Sequence, residues 1–312
     1  MELLELENKL KIMYREDYQK KVIYELKELI DCCKFNYAII KGFPLSQMAY
    51  NQPFLRACND IDFLLSRSKI KNMENILSKM DYIQPNASMD YKKDRNNKIL
   101  LLSSSHQLLS YVNMFDNFYV VVDLNFDVFW GEYEGKRIDI EEFLSDTIEM
   151  EIYGVKVKTL PPIKAMIQLV LHHYKDMNSI FLLATRKSIK YDMFKDVYYL
   201  LKNNLDTIPL DKLYDMSAEY EIIPYVFYVL YYTGQVFDDE ILKQYIETFR
   251  TPEGEALLNC YGLCAKERKE WKCDFKTRLD ADNLYDLIKD DLTEKDREKI
   301  AINKRIFMGV SE

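Results

Sequence analysis

The run Asp60-Ile61-Asp62-Phe63-Leu64-Leu65, preceded by Lys41-Gly42-Phe43-Pro44, constrains this chain more than any other feature. In a β-strand successive side chains point to opposite faces. Asp60 and Asp62 therefore share one face, while Ile61 and Phe63 enter a core. Two carboxylates side by side resist joint ionisation unless a cation lies between them. Mg²⁺ suits such a pair, because it takes oxygen ligands and shares them with phosphates. Upstream, Tyr37-Ala38-Ile39-Ile40 reads as a short buried strand. Gly42 ends it, and Pro44 opens a helix through Ser46, Met48 and Tyr50. The free N–H groups of that helix start would face phosphate oxygens. A third acid, Asp123, closes the β-rich run Phe118-Tyr119-Val120-Val121-Val122-Asp123-Leu124-Asn125-Phe126.

Taken together, Lys41-Gly42, Arg56-x-x-x-Asp60-Ile61-Asp62, a helix ending at Asp81-Tyr82 and a later strand carrying Asp123 resemble the polymerase-β-type nucleotidyltransferase superfamily. More narrowly, the pattern resembles the bacterial uncharacterised nucleotidyltransferase family, with a further similarity to AbiEii-type toxins. The resemblance covers roughly residues 20 to 205. It implies an enzyme that moves a nucleoside monophosphate from an NTP, ATP being the expected one, to an acceptor, with pyrophosphate leaving. By position, Asp60, Asp62 and Asp123 would be the catalytic acids and hold Mg²⁺ or Mn²⁺, and Gly42 would be the phosphate-turn glycine. Two positions depart from the family pattern. Phe43 follows Gly42 where a small residue or serine is usual, so Ser46 is the substitute hydroxyl. Asn125-Phe126 replaces a His-Trp pair, with Trp130 close behind.

The remaining candidates are cationic. Arg56 reads either as a surface charge or as a guanidinium that neutralises the acids or grips a phosphate with two hydrogen bonds. Lys41 is either a solvated strand end or an ammonium that stabilises charge as the leaving group departs. In the cluster His172-His173-Tyr174-Lys175-Asp176 and in Lys195-Asp196-Val197-Tyr198, the resemblance makes Lys175, Lys195 and Asp196 candidates for triphosphate or base contacts. Their alternative is an ordinary ion-paired helix face. With three histidines and no H-E-x-x-H, a histidine zinc site is not expected. Cys260, Cys264 and Cys273 lack a fourth ligand and C-x-x-C spacing, so reduced thiols are expected.

The fold class that follows is α+β. A nucleotidyltransferase domain over residues 1–150 has a mixed sheet of about five strands flanked by helices, and an all-helical C-terminal domain covers 151–312. A chain of 312 residues exceeds the usual single core. Its strands are expected at 37–40, 60–65, 99–102, around 106–112 and at 118–126, with a polar turn over 86–97. A Ser68-capped helix carries Ile70, Met73, Ile76, Leu77 and Met80. Residues 149–160, with Gly154 central, read as a hairpin. Helical period dominates from Pro162 on, including 209–219, 223–233, 238–249, 254–270 and 294–306.

Charge and hydropathy bound the partners. A net charge of -8 and a pI near 5.2 argue against a broad nucleic-acid surface, although tRNA stays open through local basic stretches at 91–95 and 186–190. No apolar run reaches membrane-spanning length and the first residues lack a signal-peptide pattern, so a cytoplasmic protein without membrane contact is expected. Three functions remain open: transfer to a macromolecule such as tRNA or protein, as toxin-like relatives suggest; transfer to a small hydroxyl compound; or non-catalytic nucleotide binding.

Overall fold

The computed structural model describes residues 2–56, 58, 60–85, 91–115, 118–130, 137–185 and 188–308. Asn59 and the Arg186-Lys187 pair of the second basic stretch lie outside them, as do the side chains of 91–93 in the first. The chain begins with α1 (Glu2–Cys32), β1 (Tyr37–Ile40), α2 (Gly42–Tyr50), β2 (Ile61–Leu65), α3 (Ile70–Lys79), α4 (Tyr91–Ser104), β3 (Tyr111–Phe115) and β4 (Phe118–Asn125). A short α5 (Ile140–Phe143) leads to the hairpin β5 (Ile148–Ile152) and β6 (Val155–Thr159). Then come α6 (Pro162–Asn178), α7 (Ile180–Thr185), α8 (Tyr191–Lys202), α9 (Leu210–Glu219), α10 (Ile223–Gly234), α11 (Glu240–Phe249) and α12 (Pro252–Leu257). The chain closes with a two-stranded β7 (Cys260–Tyr261) and β8 (Lys269–Glu270), then α13 (Phe275–Asp280), α14 (Tyr285–Ile288) and α15 (Glu294–Met308).

The main sheet is mixed, with strand order β1-β2-β4-β3. β2 lies antiparallel to β1 and parallel to β4, and β4 is antiparallel to β3. It has four strands rather than about five, because Ile99–Leu102 belongs to α4. A four-residue apolar run fits either period, and only Leu101 of those four is deeply buried. The stretch 254–270 also departs from expectation, breaking after α12 into the β7–β8 hairpin. Gly262 sits there at φ 103, where an added Cβ would lie 2.5 Å from the Glu267 carbonyl oxygen. The hairpin at 149–160 turns through Tyr153 and Gly154, both at positive φ as a tight two-residue turn requires.

Strand alternation divides the core. Tyr37, Ile39, Phe63, Leu65, Val122 and Leu124 pack with Val22, Leu26 and Leu29 of α1 and Met73 and Leu77 of α3. Ala38, Ile40 and Leu64, on the opposite face, join the core of the later helices. That core is organised by α6 and by α10, whose residues Tyr225 to Leu230 are all buried, as an apolar helix packed on several sides must be. The two parts are also tied by hydrogen bonds. The Thr159 hydroxyl donates to the Ile39 carbonyl (2.7 Å), and the side-chain amides of Asn203 and Asn204 donate to the last carbonyls of α2, at Ala49 and Met48. No described helix is long and apolar enough to cross a membrane. The six cysteines are unpaired.

Candidate active site

β2 alternates, so Asp62 shares the face of Leu64 and looks toward the later helices. The parallel register sets Asp62 directly beside Asp123. Asp60 precedes the strand and is exposed at its mouth. Between β2, β4, α4, α6, α7 and α15 lies a cleft of about 530 Å³, with Lys41, Arg56, Asp60, Asp62, Asp123 and Lys175 on its surface. The three acids predicted from sequence thus meet one cavity.

Their electrostatics differ. The Asp62 carboxylate accepts from the Lys41 ammonium at 2.8 Å and from the Asn125 amide at 3.0 Å, all largely buried. Asp123 is pushed up to about 6 by burial first and by the Asp62 carboxylate second. Its Oδ1 is buried and accepts no hydrogen bond among the described residues. Asp60 is also raised, by desolvation in the cleft and then by Asp62. Lys41 holds this contact from a left-handed backbone, φ 56 and ψ −142, a conformation costing on the order of 1–3 kcal/mol for a residue with a Cβ. Such strain persists where surrounding structure enforces it, and here it aims an ammonium at an acid.

The other predicted residues have distinct places. Gly42 lies at φ 41 beneath Cys58, and an added Cβ would sit 2.8 Å from the Cys58 sulfur. Its small size is required by that approach. Ser46 is fully buried, and its hydroxyl donates to the Gln52 carbonyl (2.7 Å) while accepting from the Arg56 N–H (2.9 Å). It staples the loop that carries Arg56. The Arg56 Nε in turn donates to Asp196 (2.7 Å), and the other oxygen of Asp196 accepts from the Tyr50 hydroxyl (2.6 Å). Asp196 on α8 therefore acts through Arg56, which lines the cleft. Lys195 points away, paired with Asp192 at 3.3 Å and 42 % exposed.

Lys175 lines the cleft from α6 and lies 3.0 Å from His106 Nε2. An ammonium only donates, so Nε2 is the acceptor and the His106 proton sits on Nδ1. His106 is held neutral, its pKa driven well below the ordinary value by burial first, then by Lys175 and Lys41. No motif marks His106 in the sequence; the loop after α4 brings it to Lys175. A second cluster falls in the His172-His173-Tyr174-Lys175-Asp176 run, where a histidine zinc site is not expected from the sequence. His172, His173 and Asp176 have ligand atoms all within 4.8 Å of one another, with His172 Nε2 3.3 Å from Asp176. The carboxylates of Asp60, Asp62 and Asp123 are not among the described groups gathered that tightly.

Comparison with known families assigns the class, a nucleotidyltransferase family. Residues 7–238 match the family described as uncharacterised nucleotidyltransferase, and the chain belongs to that family. No curated protein matches it. Among solved structures it is similar to an antigenic nucleotidyltransferase-like protein from Paracoccidioides brasiliensis, at 16% identity over 67% of this chain and 92% of that one, with a TM-score of 0.38.

Proposed function

We propose that the chain is a metal-dependent nucleotidyltransferase that moves a nucleoside monophosphate from an NTP, ATP being the expected donor, to an acceptor hydroxyl. The carrying observation is the side-by-side register of Asp62 and Asp123 on the floor of a cleft rimmed by Lys41, Arg56 and Lys175. The donor set fits Mg²⁺ or Mn²⁺: carboxylate oxygens are hard ligands, and one oxygen of Asp123 has no hydrogen-bond partner among the described residues. Asp60, Asp62 and Asp123 would hold the ion, which when bound neutralises triphosphate charge and acidifies a hydroxyl.

The chain's own groups account for the rest. The acceptor oxygen forms a bond to the α-phosphorus, the bond from that phosphorus to the pyrophosphate oxygen breaks, and the hydroxyl proton passes to Asp123. Before an ion binds, burial and the Asp62 carboxylate raise Asp123, the direction a proton acceptor needs. Arg56, fixed by Asp196, and Lys175, fixed by neutral His106, supply positive charge for the departing pyrophosphate. The acceptor is a small hydroxyl compound rather than tRNA or a protein, in keeping with the net charge of -8. A cytoplasmic location belongs to the same proposal.

A second reading has its own observation. Lys41 already neutralises Asp62, which suits a non-catalytic nucleotide-binding protein. Label transfer separates the two: protein with Mg²⁺ or Mn²⁺, each α-³²P-labelled NTP in turn, and fractionated lysate, beside Asp62→Asn. Carboxylate-dependent labelling of a small-molecule fraction is expected. Labelled tRNA or protein would favour a toxin-like acceptor. Nucleotide binding without transfer in any fraction would favour the second reading.

A further inference from the structure

We propose that the acceptor carries an apolar body next to its hydroxyl, and that a wall built by α7 and the C-terminal helix α15 receives it. The inference rests on the nucleotidyltransfer reading and adds the acceptor's chemistry to it. The cleft lining is of two kinds. Its cationic groups, Lys41, Arg56 and Lys175, come from the sheet region and α6. An apolar set comes from Phe181 and Leu182 of α7 with Ile306, Phe307 and Met308 of α15 and Leu263, and α4 adds Leu100 and Leu101. The Phe181 and Phe307 rings pack with centroids 6.0 Å apart, and Ile306 and Leu263 are 3% and 2% exposed. α15 otherwise offers the cleft an uncharged amide, Asn303.

Among the described residues this wall carries no cation, so it gains nothing from a polyanion and strips its hydration. The same wall gains by covering an aryl or alkyl group. Leu263, Ile306, Phe307 and Met308 lie beyond residue 238, where the family match ends, whereas the acids and the phosphate-facing cations lie within it. The α15 and Leu263 part of the wall thus lies outside the matched region, while Phe181 and Leu182 lie within it. An acceptor is what such a wall would select. The volume of about 530 Å³ is in the range of small-molecule sites.

The test uses the full chain with 2-phenylethanol as the apolar alcohol, glycerol as the polar one, and unfractionated tRNA. Binding of both alcohols is measured by calorimetry in the presence of Mg²⁺ and NTP, and label transfer to all three acceptors is measured separately. Phe307→Ser is the primary variant. Met308→Ser is the second, since Met308 is 47% exposed and its replacement leaves the core intact. We expect 2-phenylethanol to bind and be labelled in preference to glycerol and tRNA. Each variant should weaken its binding, Phe307→Ser by ~10–100-fold, with NTP affinity unchanged. Preference for glycerol or tRNA overturns the inference, as does a loss of NTP affinity in Phe307→Ser, which would make the wall a platform for the base. Alcohol binding insensitive to both variants overturns it as well. The parent reading fails differently, by transfer that is absent or indifferent to Asp62→Asn while Phe307-dependent alcohol binding persists.

Discussion

Asp123 and Asp127 are both buried carboxylates near the end of the same strand region, and both are raised to about 6. Their neighbours differ in sign. Around Asp127 burial alone raises the carboxyl, and everything else opposes it: Arg137 at 2.8 Å, the Phe129 N–H at 3.0 Å and Arg67 at 3.7 Å. Around Asp123 burial is reinforced by Asp62, its strongest charged neighbour, and more weakly by Asp60, while a Ser110 hydrogen bond and the Lys41 charge oppose it. Asp127 is a compensated charge that fixes the turn after β4. Asp123 is a charge that its strongest neighbour makes harder to hold, which is what a cation site requires. A raised carboxyl marks chemistry when the nearest charges push the same way as burial, and marks architecture when they push back.

The largest expected effect tests that distinction directly. Asp62→Asn or Asp123→Asn should lower label transfer per folded molecule by ~10³-fold or more, while Asp127→Asn retains it. Asp123→Asn should keep its thermal stability, and Asp62→Asn should lose some because Lys41 stays buried without its anion. Equal losses from all three would break the contrast. Next, Mg²⁺ at about 100 times its Kd should raise the melting temperature of the wild type and of Asp127→Asn by about 5 °C, and leave Asp62→Asn unmoved.

The pH response comes third. Both carboxyls lie above their ordinary value of 3.8, so the folded state takes up protons more readily than the unfolded one. Stability from this source is complete below about pH 4 and is lost as pH rises through about 6. Asp127→Asn removes the Asp127 part. Wild type should therefore gain about 2 kcal/mol relative to the variant between pH 7 and 4, measured by denaturant titration.

A smaller effect is expected at the clamp. Asp196→Asn should lower kcat/KM by ~10-fold through the NTP, and have little further effect when Arg56 is already alanine. Smallest of all, Lys195→Ala should change stability by less than ~0.5 kcal/mol and leave transfer as it was.

How far the sequence carries depends on which periodicity is at work. Period two reads directly in Ile61 to Leu65, where Asp62 shares a face with Leu64, while Asp60 precedes the strand that the sequence pattern extends to it. Four apolar residues at 99–102 have no such sign, since their neighbours determine whether they form strand or helix. Inside 254–270 the break falls at Gly262, whose positive φ the sequence alone does not reveal. Side-chain direction was less accessible still. Ser46 and Asp196 lie in the expected region, yet the hydroxyl turns to a loop and the carboxylate to Arg56, choices made by partners six and 140 residues away. His106 carries no local signal, because its role comes from Lys175, 69 residues later in the chain.

The clamp has a consequence for the order in which the molecule is made. Arg56 and Asp196 are separated by 140 residues, so at roughly 5–20 residues per second a ribosome supplies the partner on the order of ten seconds after the arginine. During that interval β2 has only β1 beside it, until β4 arrives with Asp123. The growing chain carries its acids well before it can orient its guanidinium, and Arg56 is held only once α8 has docked against α2.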